Sequence, residues 1–404
     1  MTKPHRDLDH LDHDELATLA REHLLAGHLI DRAGMPVVVS HGLDTMRDIA
    51  IDEWMGASPL YTKRMQRLLG FEGDTVEVAL KGMQLDIGAP PEFMDFRFSV
   101  LDEHHGEFHL DHCGALLDVE PLGDEFVVAM CHNIEDPTFD ATGWATNSRI
   151  RMRPVHRPPR SPADRHPHCA WTVEIDPTLP ESPAPEQAFR IGTTLAARLP
   201  LATPRGVTDD GDDNYVGALD PDLTLSRFSS ATLRAIVEEV CLQGHLLVLS
   251  FGAAVLDRLG NDEVFSTLER QFAGVAGVAS ERISRAFGLE DVVADVATAF
   301  ELHPAFHPRH YIDWRVDVDG DAVSLELGDC PALEEPDYAS WITALEHGHV
   351  RALSAIAAGV DPHWSIRALG QRRWLVERGD APAGELDEVT LTKFSAGARF
   401  EFIR

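Results

Sequence analysis

A chain of 404 residues is long for one ordinary domain and comfortable for two with real cores, which excludes a small disulfide-held scaffold. With 44% apolar and 25% charged residues it has a soluble globular composition, and no uninterrupted apolar run reaches the roughly 20 residues of a membrane span. Its 35 basic and 67 acidic side chains leave a net charge of −32, which repels nucleic-acid backbones and anionic lipid and excludes both as partners.

Taken in chain order, residues 1–13 carry His5, His10 and His13 among acids and are read as a flexible segment. They lack the apolar centre of an export signal, so a cytoplasmic protein is expected. Residues 14–176 form a first unit that opens with amphipathic helical stretches, one holding Leu24 to Leu29 and one ending at Arg67-Leu68-Leu69-Gly70, where the glycine reads as a C-cap. Strands are predicted around Phe96 to Val100, Phe108 to Leu110 and Asn147 to Arg153, the last by strict alternation. Residues 177–226 read as a linker rich in proline and aspartate, and the run Asp209 to Asn214 lacks the closing Glu of a calcium loop. Residues 227–404 form a second unit.

The second unit repeats the first. Leu24 to Leu29 returns as Cys241 to Leu246, Arg67 to Glu72 as Arg285 to Glu290, Asp95 to Phe98 as Asp313 to Val316, and His112 to Leu116 as Asp329 to Leu333. Four matches in the same order, at offsets of 217 or 218 residues, predict an internal duplication. Helices first, then strands without βαβ alternation, predict an α+β fold: two tandem copies of a helix-first unit with an antiparallel sheet. The copies would pack as a pseudo-dimer or pair with another chain.

Five cysteines without an export signal point away from disulfides and toward free thiols or metal ligands. Three of them in the first unit stand beside histidines, in His112-Cys113, Cys131-His132 and His168-Cys169. Cys113, Cys131, Cys169 and His156 would complete a tetrahedral zinc or iron site. In the competing mechanism Cys131 is a nucleophile, with His132, Glu135, Asp136 and Asp140 as acid/base candidates and His132 and Asp136 foremost. Buried packing is the plain alternative for every thiol. The second unit keeps Cys330 but has Leu345 near the place of Cys131 and Ala398 or Arg399 near that of Cys169, as an active half and a scaffold half would. Arg149, Arg151 and Arg153 share one face of the predicted strand and could clamp a substrate anion. His28 and His245 recur on apolar helices and read as structural, and His109 as a neighbour of the cysteine site.

Asp52-Glu53-Trp54, the Arg-Leu-Leu-Gly helix end, His112-Cys113, Cys131, Asn147-Ser148-Arg149, Pro158-Pro159 and Cys169-Ala170-Trp171 together resemble the L-2-amino-thiazoline-4-carboxylic acid hydrolase-like family. They are closer still to its cysteine-rich relatives of unknown function. Those relatives carry a cysteine just before the Pro-Pro, where this chain has His156 and Arg157. The resemblance implies a hydrolase of C–N or C–S bonds in a small polar molecule. A metal-binding or thiol redox-sensing protein, and a small-anion binding module between the units, are the other expectations.

Overall fold

The computed structural model describes residues 5–88, 90–206 and 211–394. The first unit runs α1 (His13–Val38), α2 (Leu43–Leu68), α3 (Val76–Gln84), β1 (Met94–Val100), β2 (His105–Cys113), the short α4 (Gly114–Val119) and α5 (Asp124–Val128), then α6 (Glu135–Trp144), β3 (Ile150–His156) and β4 (Cys169–Ile175). After α7 (Glu186–Ile191) and α8 (Leu195–Arg198), the second unit runs α9 (Ser230–Leu259), α10 (Asn261–Phe287), α11 (Val293–Glu301), β5 (Trp314–Asp319), β6 (Ala322–Leu327), α12 (Trp341–Glu346), α13 (Arg351–Val360), β7 (Trp364–Gly370), β8 (Arg373–Arg378) and α14 (Asp387–Lys393). The two sheets have one topology, β1-β2-β4-β3 and β5-β6-β8-β7, antiparallel throughout. The α+β fold of two helix-first units is therefore present as expected.

Local chemistry sets the element ends. Asp12 and Glu15 form a capping box at the start of α1, each side chain accepting the other's backbone N–H at 3.0 and 3.2 Å. Gly70 and Gly288 close α2 and α10 with φ of 66° and 58°, a conformation that costs glycine little.

Strand register measures the duplication. Phe96 pairs with Leu110 and Trp314 with Leu327, so 327 − 110 = 217. Phe108 faces Trp171 and Leu325 faces Trp374, so the offset at the next strand is 374 − 171 = 203. The second unit is thus 14 residues shorter, 217 − 203, before its last strand. The counterpart of Cys169 is Arg372, since 169 + 203 = 372, and not Ala398 or Arg399, which lie outside the described residues. A fixed offset could not register that shortening.

The units share their helices. Gly56 of α2 lies against Ser250 of α9, where an added Cβ would stand 2.1 Å from the Ser250 hydroxyl. In mirror fashion Gly274 of α10 lies against Ala33 of α1, and 250 − 33 = 217 while 274 − 56 = 218. One hydrophobic core accordingly runs through both units, with Tyr61, Phe251, Phe272 and Trp341 in it. Across it Arg64 of α2 makes a bidentate pair with buried Glu239 of α9 at 2.7 and 2.8 Å. α9 is long and apolar enough to cross a membrane, although Gln243, His245 and Ser250 interrupt its apolar run, and 89% of its most apolar window is buried inside the protein.

Two segments read as loose are packed. Leu8 and Leu11 are buried, and His13 Nε2 bonds the Phe228 carbonyl at 3.0 Å, so the amino-terminal segment is anchored from Asp7 onward. In the linker Tyr215 is fully buried and the Lys81 ammonium donates to its carbonyl at 3.1 Å while lying over the Phe71 and Tyr215 rings. Asp209 and Asp210 lie outside the described residues; Asp212 pairs with Arg227 at 2.5 Å.

Candidate functional site

The first sheet turns Cys169, Trp171, Val173 and Ile175 of β4 inward by simple alternation. Cys113 ends β2, and Cys131 lies in a π-helical turn, Ala129–Ile134, between α5 and α6. Such turns re-aim side chains and are frequent at functional positions. All three thiols are buried in one cluster with Phe108, Met152 and Trp171.

Glu135, one turn beyond Cys131, adds a buried carboxyl beside this cluster. It is 8% exposed, and its Oε2 has no hydrogen-bond partner. Burial pushes its carboxyl up to about 8, with Arg157 pulling down and Asp136 pushing up. Burial and then Glu135 raise the Cys113 thiol to about 12. The same two causes raise Cys131 and Cys169, and Cys113 adds to both. At neutral pH the site therefore holds protonated thiols and a mostly protonated carboxyl. Arg157 sits 5.9 Å from the Trp171 ring centroid and pairs with Asp136.

The other expected site residues point elsewhere. His132 Nε2 donates to the Pro158 carbonyl at 2.7 Å, and His156 Nε2 to the Pro167 carbonyl at 3.1 Å. His168 Nδ1 accepts the Cys113 N–H at 3.1 Å. Asp136 is occupied by Arg157, so the acid beside Cys131 is Glu135, four residues on along the helix. Arg149 pairs with Glu181 at 3.0 Å, Arg151 donates to the Ile150 carbonyl at 2.6 Å, and Arg153 pairs with Asp140 at 2.9 Å. The predicted cationic row is thus satisfied within the protein. Among the described residues no group of three or more His, Cys, Asp or Glu side chains is placed to hold a metal ion.

A second acidic cluster escaped the sequence reading. Between α1 and α2, Trp54 Nε1 donates to Asp31 Oδ2 at 2.8 Å, and the Tyr61 hydroxyl donates to Asp86 at 2.9 Å. Burial lifts Asp31 and Asp86 to about 6, and burial plus Asp31 lifts Glu53 well above the carboxylate range. The offset of 218 places Gln271 where the first unit has Glu53. Gln271 is fully satisfied, donating to the Ile30 carbonyl at 3.2 Å and accepting from Trp341 Nε1 at 3.0 Å. That acid-for-amide difference was readable from the repeats, whereas the approach of Asp31 to Glu53 was not.

Comparison with known proteins returns no matching family model, no matching curated protein and no matching solved structure.

Proposed function

We propose that the first unit is a thiol hydrolase site for a C–N or C–S bond in a small polar molecule, with Cys131 the nucleophile and Glu135 its acid and base. The observation that carries this reading is a buried thiol four residues along the helix from a buried carboxyl that burial pushes up to about 8. For a C–N substrate, the Cys131 proton passes to ionised Glu135 as sulfur bonds the substrate carbon. The C–N bond then breaks, and Glu135 returns the proton to the leaving nitrogen. Water cleaves the thioester, which releases the acid product and restores the thiol. Asp136 acts at one remove, by holding Arg157, the cation that eases ionisation of Glu135. The resemblance to the thiazoline hydrolase-like family and the replacement of Cys169 by Arg372 in the second unit support the same assignment.

Cys131→Ser and Glu135→Gln should each lower release of amine or thiol from a panel of small amides, amidines and thiazolines by about 100-fold or more. Turnover that survives both substitutions unchanged removes the assignment. A zinc or iron centre on Cys113, Cys131 and Cys169 is the second reading, favoured by the burial of all three free thiols in one cluster. Elemental analysis of anaerobically purified protein separates the two, since one metal per chain lost in Cys131→Ala belongs only to the second.

A further inference from the structure

Four buried histidines gather where the second unit meets α1: His23 on α1, His245 on α9, and His303 and His307 on residues 302–307, which lead from α11 toward β5. Each gives one ring N–H to a backbone carbonyl. His23 Nε2 donates to the Leu302 carbonyl at 2.8 Å and His245 Nε2 to that of His307 at 2.9 Å. His303 Nε2 donates to the Ala276 carbonyl at 3.3 Å and His307 Nε2 to that of Glu301 at 2.8 Å. A carbonyl only accepts, so every one of these rings carries its proton on Nε2. On the other nitrogen, His303 Nδ1 accepts the Ala305 N–H at 3.2 Å, His23 Nδ1 faces the Cys241 thiol at 3.1 Å, and His307 Nδ1 is buried with no partner. A second proton on any of those three rings would find no oxygen to bond.

The surrounding charges reinforce this. Burial comes first in pushing His23 and His245 down to about 4, His303 to about 3 and His307 well below the ordinary range; Arg309 pushes His307 down further, and His23 acts on both His303 and His307. Arg309 pairs with Glu301 at 2.8 Å, Glu238 of α9 with Arg205 at 2.9 Å, and Glu22 beside His23 with Arg282 at 2.8 Å. Tyr311 stands edge-on to His245 and gives its hydroxyl to Glu335. Burial raises Glu301 and Glu238, so these two carboxyls favour the closed arrangement in acid and cannot drive it open.

Residues 302–307 close over a thiol. Pro304 and Ala305 line a cavity between α1 and α9 together with His23, Cys241, Gly244 and His245. At Gly244 an added Cβ would meet only Ile30 Cδ1, at 3.7 Å. Leu302 and Phe306 are fully buried and keep the segment seated, with Phe306 stacked on Trp314 at 3.9 Å. Lifting it frees all four imidazoles, two because they ride on it and two because their acceptors leave with it.

We propose that residues 302–307 form an acid-opened lid over Cys241, held shut by neutral His23, His245, His303 and His307 and released as those rings take up protons. A histidine held below its ordinary 6.5 leaves the closed lid at full strength above that pH and weakens it as pH falls toward the closed value, about 4 for His23 and His245. Between about pH 7 and about pH 5 each such ring multiplies opening about 20-fold. The lid is independent of the hydrolase assignment, in which Cys241 has no part.

Hydrogen exchange with mass spectrometry on the full chain would compare a peptide covering residues 302–312 with one covering β6, at about pH 7 and about pH 5. The Ala305, Phe306 and His307 N–H groups bond within the lid, so their exchange reports its opening. After correction for the intrinsic pH dependence of exchange, lid protection should fall relative to β6 by about 1,000-fold or more in the wild type. In His303→Asn/His307→Gln, whose amides replace the His303 acceptor and the His307 donor, the fall should be about 100-fold smaller. His307→Gln alone should make it about 20-fold smaller, which keeps the test decisive if the double variant fails to fold. Dithiodipyridine, which reacts with thiols in acid, should modify Cys241 about 100-fold faster at pH 5 than at pH 7 once corrected against free cysteine, with peptide mapping to locate the label. Lid protection that tracks β6 at both pH values, or falls as far in the variants as in the wild type, overturns the lid. Equal Cys241 modification at the two pH values overturns its cover over the thiol.

Discussion

Glu135→Gln tests the electrostatics of the cysteine site through stability alone. The carboxyl moves from an ordinary 4.5 to about 8 on folding, because burial penalises its charge. A raised acid pKa gives stability that is fully present below the unfolded value and lost as pH rises through the folded one. At about 1.4 kcal/mol per pH unit, the charge costs the wild type about 2 kcal/mol at pH 6 and about 5 kcal/mol at pH 9. Glutamine has nearly the same shape and no charge to lose, so the stability difference between the two proteins should shift by about 3 kcal/mol in its favour between those pH values. Urea unfolding followed by circular dichroism, in the presence of a chelator, measures it directly. A difference that stays constant with pH would refute a buried, uncompensated Glu135, as would a variant that becomes relatively less stable at pH 9.

The shared helical core makes further predictions. Gly56→Val should destabilise by about 1–3 kcal/mol or more, because its side chain would collide with Ser250; a melting temperature equal to the wild type's contradicts the close approach of α2 and α9. Arg64→Ala leaves Glu239 buried without its bidentate partner and should cost about 3–5 kcal/mol in urea titrations, with a much smaller loss when Glu239 is also replaced by Gln. His168→Ala removes the acceptor of the Cys113 N–H and should cost about 1–3 kcal/mol, whereas His156→Ala, whose ring meets only a loop carbonyl, should cost less.

The duplication was legible because helix ends and strand starts repeat as short identical patterns, from Arg67-Leu68-Leu69-Gly70 to Asp95-Phe96-Arg97-Phe98. Burial of Cys169 stood as an open alternative in the sequence, and the alternation along β4 decides it. The order among the candidate partners of Cys131 did not follow. Adjacency set His132 and Asp136 foremost, but a π-turn running into a helix returns to the same side after four residues, which brings Glu135 of the four candidates beside the thiol. The arginine row was correctly alternating, yet alternation says nothing of Glu181 and Asp140, which answer Arg149 and Arg153 from other segments. Asp31 and Asp86 lie 55 residues apart, 86 − 31, and only the packing of the segment after α3 against α2 lets both act on Tyr61. Leu8 and Leu11 were overlooked because histidine and aspartate dominate their surroundings.

The reciprocal seating of α2 on α9 and of α10 on α1 has a consequence for how this molecule can change. In a dimer of identical chains, any substitution at such a seam appears on both sides of the axis at once, and an unfavourable one is counted twice. Joined in one polypeptide, the two sides vary independently. Glutamate can stand at position 53 while glutamine stands at 271, and a thiol at 169 can answer an arginine at 372. Symmetry of the framework thereby coexists with asymmetry of the chemistry, and one half can be specialised while the other continues to hold it upright.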